Sequence, residues 1–135
     1  MTSSDQSTPE GYSGWSYYLL QVIFKIILYL PWIWMGLFAL FVLGTAVQVG
    51  HLPTYGNPDP KDAGFVSILY IPVMIIMLIV LGFSPIGIGL ALVKVLREWP
   101  PFIKKSEAAL YLVGIAIFFL FTRSDVAGLI TWLGD

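Results

Sequence analysis

The chain has 135 residues, of which 58% are hydrophobic and only 11% charged, with a formal net charge of −1. A soluble domain carries about 45–50% apolar and roughly 25% charged residues, so this chain has too few polar side chains to cover a globule in water. Disorder is excluded for most of it, nucleic-acid binding has no electrostatic basis, and an integral membrane protein remains.

Residues 1–16 are rich in Ser, Thr, Gly, Asp, Gln and Pro and have no positive n-region, so they read as a retained, flexible polar tail. The rest, 17–135, reads as a single helical transmembrane domain. Tyr12, Trp15, Tyr17 and Tyr18 suit the level where the tail meets the membrane, because their rings are apolar and their tips polar.

The first apolar run, Val22–Val49, is interrupted only by Lys25. As helix it measures about 42 Å, more than the ~30 Å hydrocarbon core requires. Pro31 removes a helical hydrogen bond. The run is therefore either one kinked, tilted span or an interfacial segment, 15–30, followed by a span, 31–48. Lys25 can snorkel in both arrangements. The loop His51–Gly64 contains Pro53, Pro58 and Pro60, which predicts a stiff excursion outside the membrane.

The second run, Phe65–Val93, holds no charge and would extend about 44 Å as helix. Its best kink is at Pro85, and Gly87 with Ala91 forms a small-xxx-small pair that lets another helix approach. A hairpin follows, Lys94–Glu107, with Lys94, Arg97, Lys104 and Lys105 beside Glu98 and Glu107. The last run, Ala108–Phe121, is about 21 Å of helix and short for a span. Ser124-Asp125 resembles an N-cap for a further short helix, Val126–Leu133.

These elements predict an all-α integral membrane protein with about three transmembrane helices. The first two are long and kinked at Pro31 and Pro85, the third is short or broken near Arg123, and an N-terminal segment can lie at the interface. One basic residue, Lys61, in the first loop against four in the second places the second loop in the cytoplasm. The N-terminus is then cytoplasmic and the C-terminus extracytoplasmic, with a bacterial inner membrane as the expected location.

The chain has no cysteine and one histidine, which excludes thiolate metal sites, cysteine nucleophiles and multi-histidine centres. His51 is a weak candidate for an axial haem or pigment ligand, with no second ligand to support it. Asn57, Asp59 and Asp62 lack the regular spacing of a calcium loop and read as a turn braced by Asx hydrogen bonds, so no metal site is expected. Gly87-x-Gly89 fails as a phosphate loop because Leu92 stands where a third glycine belongs. Arg123 and Asp125 are the one candidate intramembrane ion pair, the feature a proton or solute path would need. The alternative, that both lie in headgroups or water, is favoured.

The function expected from these residues is a small non-catalytic membrane subunit that packs against or stabilises a larger complex. By analogy its setting is a respiratory or photosynthetic assembly. Its expected partners are the bilayer, other membrane subunits through helix packing, and an extracytoplasmic partner at the 51–64 loop. One alternative is a small oligomeric transporter or channel using Arg123 and Asp125; another is a pigment- or haem-holding subunit through His51. An enzyme is not expected, since no acid, base and nucleophile set can be assembled.

Overall fold

A computed structural model of the chain describes residues 14–54, 57, 59–62, 64–98, 100–125 and 128–134. Most of the tail, residues 1–13, lies outside the described residues. The first helix, α1, runs Gly14–Val49 and carries Pro31 inside it. It is a single helix of 36 residues, about 54 Å long. Of the two arrangements open for this region, the structure adopts the continuous one, and the helix begins within the stretch read as tail.

Two 3-10 turns, Pro60–Asp62 and Gly64–Leu69, lead into α2, Tyr70–Arg97. The third helix, α3, runs Lys105–Ser124, and a five-residue helix, α4, covers Leu129–Leu133. Three stretches, Gly14–Val49, Gly64–Arg97 and Lys105–Ser124, are long and apolar enough to cross a membrane. Among the described residues there is no strand, only an isolated bridge between Thr54 and Asn57.

With 20 residues, α3 measures about 30 Å, a full hydrocarbon thickness. The uninterrupted apolar run underestimates it because nearly a turn of polar residues continues the helix at each end. The break expected near Arg123 falls at Asp125, whose φ of 42° reverses the chain. The short helix after it begins later than expected, at Leu129, and residues 126 and 127 lie outside the described residues.

Packing follows an inverted pattern. The buried residues of α2 are Val73, Val80, Ser84, Gly87, Ala91 and Lys94, at steps of 7, 4, 3, 4 and 3. Those of α3 include Ala108, Tyr111, Ile115 and Phe118, at steps of 3, 4 and 3. A 3.5-residue period keeps one narrow stripe facing its neighbours. On α2 that stripe holds small and polar side chains, while Ile71, Ile75, Leu78 and Leu96 are exposed. Lipid is as apolar as leucine, so bulky aliphatics gain nothing by turning inward and close approach favours small residues.

The polar tips of three aromatics, the half-buried Trp32 and the buried Trp34 and Tyr111, cross-link the helices. Trp32 Nε1 donates to the Leu110 carbonyl of α3 at 3.1 Å, and Trp34 Nε1 donates to the Val73 carbonyl of α2 at 3.1 Å. Tyr111 Oη donates to the Ser84 carbonyl at 3.4 Å. No alternative partner exists in hydrocarbon, so each N–H or O–H must be met inside the protein.

Pro85 shows the same economy. It cannot donate to the carbonyl four residues earlier, Leu81, and the Ser84 hydroxyl donates to that carbonyl instead, at 3.0 Å. This repair lets α2 run unbroken through a proline at mid-helix. Pro72 lies in the first turn of α2, where the helix loses less by it.

At the hairpin end, Lys94 is buried and its ammonium donates to the carbonyls of Glu98 and Pro100, at 2.9 and 3.0 Å. It satisfies carbonyls at the C-terminal end of α2 and complements the helix dipole there. Phe102 of the hairpin packs on Phe24 and Tyr17 of α1, each with 5.8 Å between ring centroids. Lys25 turns toward the same end, its Nζ 4.0 Å from Glu107 Oε1.

Candidate functional site

An apolar groove of about 380 Å³ lies between α1, the end of α3 and α4. Its aromatic wall is held rigidly. Trp34 is fixed by its bond to Val73, stacks on Phe38 at 5.0 Å and 7°, and meets Phe118 edge-on at 4.9 Å. Phe121 completes the wall, edge-on to Phe38 at 5.6 Å. Met35, Ala39, Val42 and Leu43 form the α1 side, and Leu129 of α4 borders it. Ala39 is exposed and small, which opens the groove toward the membrane.

No lining residue can act as acid, base or nucleophile, and the Met35 thioether is its one soft donor. The groove's chemistry suits hydrocarbon, whether a side chain of a neighbouring helix or a lipid chain. It is absent from the sequence reading because Trp34 and Phe121 are 87 positions apart in the chain. The one local signal is Ala39, a small residue within the bulky segment Gly36–Leu43.

Beneath this end of the bundle, Trp132 of α4 is fully buried and stacks on Phe41 at 5.2 Å. Asp125 holds α4 in place. Its Oδ1 accepts the N–H groups of Ile130 and Thr131, at 2.7 and 3.1 Å, and its Oδ2 accepts the Thr131 hydroxyl. That hydroxyl, followed by the two amides, holds the Asp125 carboxyl below its ordinary range. No Arg123–Asp125 ion pair forms among the described residues. Ser124-Asp125 is therefore not the N-cap expected: Gly128 holds that position in α4, Asp125 closes α3, and its carboxylate reaches forward to Ile130 and Thr131.

A carboxylate with a depressed folded pKa stabilises the fold above its unfolded pKa and loses that effect as pH falls through the folded value. Protection of the Ile130 and Thr131 amides against hydrogen exchange is therefore expected to be flat near neutrality. It should fall only at pH below the usual carboxylate range, and Asp125→Asn should remove this dependence. Protection that stays constant into strong acid would show that Trp132 alone holds α4.

The other sequence candidates fall in separate places. His51 is exposed, with Nδ1 2.9 Å from the carbonyl of Leu52. Thr54 and Asn57 exchange two backbone bonds at 2.8 and 3.0 Å, and the Lys61 N–H donates to Asp59 Oδ1 at 2.8 Å. These are the turn and Asx bond that the loop composition predicts. Pro53 and Pro60 are fully buried, so the loop packs back onto the protein rather than standing clear of it. Among the described residues no three His, Cys, Asp or Glu side chains come together to hold a metal ion.

Gly87 and Ala91 are both buried, and the helix that approaches is α3: a Cβ on Gly87 would lie 2.2 Å from Tyr111 Oη. Gly89, on another face, meets nothing within 4 Å. At the hairpin, Lys105 Nζ is 2.6 Å from Glu98 Oε1, and that bond holds the Glu98 carboxyl below its ordinary range. Glu107 accepts the Lys104 N–H at 2.9 Å, the carboxylate half of a capping box. The Lys104 ammonium has no lone pair with which to make the other half.

The fold and the groove define a class, the multi-pass helical membrane proteins with three spans and a short closing helix. Comparison of the chain with family models, curated proteins and solved structures finds no match.

Proposed function

We propose that this protein is a small non-catalytic subunit that packs laterally against a larger membrane assembly. The observation that carries this reading is the groove: a rigid apolar concavity in a bundle whose buried hydroxyls bond internally. Thr45 donates to the Phe41 carbonyl at 2.8 Å, as Ser84 does to Leu81. A solute path needs polar groups facing inward and available, and these are occupied. A knob-shaped side chain from a neighbouring helix fits the groove's chemistry, and aromatic-lined pockets of this kind anchor interfaces. A respiratory or photosynthetic complex of a bacterial inner membrane is the proposed setting.

Orientation belongs to the same reading. The hairpin carrying Lys94, Arg97, Lys104 and Lys105 faces the cytoplasm, with the N-terminus on that side and the 51–64 loop and C-terminus opposite. The absence of cysteine makes this easy to test, since a single cysteine at Ser106 should label only from the cytoplasmic side. Labelling from the other side would invert the topology.

After mild-detergent extraction, the protein is expected to co-migrate with a larger species on native electrophoresis. Ala39→Trp, which fills the groove from an exposed position, should reduce that fraction about tenfold, as loss of an interface anchor does. Migration of the native protein as a lone protomer would overturn the proposal.

A further inference from the structure

Five cations, Lys25, Lys94, Arg97, Lys104 and Lys105, gather at the hairpin end of the bundle with two carboxylates, Glu98 and Glu107. The structure distinguishes the cations that are engaged from those that are available. Lys94 is buried against two carbonyls, Lys105 is bonded to Glu98, and Lys25 lies beside Glu107. Glu98 is thereby occupied, and Glu107 also accepts the Lys104 N–H. Arg97 and Lys104 are exposed, and neither has a carboxylate within ion-pair distance among the described residues.

Their place in the fold sets their depth. Arg97 is the last residue of α2 and Lys104 immediately precedes α3, so both stand where a span leaves the hydrocarbon. Between them in the chain, Phe102 is pinned to Phe24 and Tyr17, rings suited to the membrane interface. At that level the abundant anions are lipid phosphates, and a guanidinium matches phosphate oxygens in a bidentate fashion.

We infer that Arg97 and Lys104 form a docking surface for the phosphate of an anionic phospholipid headgroup. Among the described residues the surface is pre-set, because Lys105 holds Glu98, and the Lys104 N–H with Lys25 beside it holds Glu107. It does not depend on membership of a larger complex.

The test uses the full chain in nanodiscs of equal phosphatidylcholine and phosphatidylglycerol, with lipid retained after extraction counted by native mass spectrometry. Phosphatidylglycerol should be retained in preference. Arg97→Gln and Lys104→Gln should each lower that preference roughly fivefold. Arg97→Lys and Lys104→Arg should keep most of it, and Arg123→Gln, in the last turn of α3 at its opposite end, should leave it unchanged. Circular dichroism of each variant confirms that the helices persist. Equal retention of the two lipids by the native chain overturns the inference and leaves these cations to an acidic protein partner. An equal loss in Arg123→Gln also overturns it, by showing only a diffuse attraction to net charge.

Discussion

Truncation of Trp34 to alanine is expected to destabilise the bundle by about 3 kcal/mol, the low end for removing a buried tryptophan. The low end applies because lipid, unlike water, does not penalise an exposed apolar ring, so the transfer part of the loss shrinks. The remaining loss is contact. Trp34 is fully buried, stacked on Phe38, edge-on to Phe118 and bonded to Val73, and removing it leaves three helices facing a void. Trp34→Phe isolates the hydrogen bond and should cost only about 1 kcal/mol. Unfolding by a denaturing detergent titrated into mild micelles would measure both. Equal losses in the two variants would show that the bond to Val73, not the packing, ties α1 to α2.

Gly87→Ala is expected to cost about 2 kcal/mol, in the range for overfilling a tight contact. The new methyl group would stand 2.2 Å from Tyr111 Oη and 2.5 Å from its Cζ. Tyr111 cannot swing away freely, since it is buried and its hydroxyl is held at the Ser84 carbonyl. Either α3 moves outward or the ring leaves its site. Tyr111→Phe removes the nearest clashing atom but not Cζ, so combining it with Gly87→Ala should restore part of the loss. A double-mutant cycle gives the coupling. Additive losses would mean that α2 and α3 part at Gly87 without reference to Tyr111.

Individual residues show how far the sequence could be read. The Asx turn at Asp59 and the close approach at Gly87 are legible, the first because it depends on neighbours within a few positions and the second through a general packing rule; at Asp125 a capping residue is legible, but not that it closes α3 while Gly128 starts α4. Lys25 was readable only in part. Its snorkelling follows from its place in an apolar run, but its neighbour Glu107 is 82 positions away. At Pro31 the sequence leaves a divided and a continuous span open, and α1 passes through it; at Pro85 a continuous α2 is legible, but not that Ser84 makes the substitute bond. The groove was not legible beyond the small residue Ala39. It exists because α4 folds back across the end of α1, and no local pattern announces that Trp132 will reach Phe41.

Composition determined that lipid is the solvent of this protein, and the order of apolar and polar runs placed about three candidate spans and the loops between them, because burying charge in hydrocarbon is costly at any position along a span. Only the tertiary structure decided which face of each helix turns inward. In water the apolar stripe would have revealed it. Here the outside is as hydrophobic as the inside, so the inward faces were selected by small residues, such as Gly87 and Ala91, and by aromatic donors that must find a carbonyl on another helix.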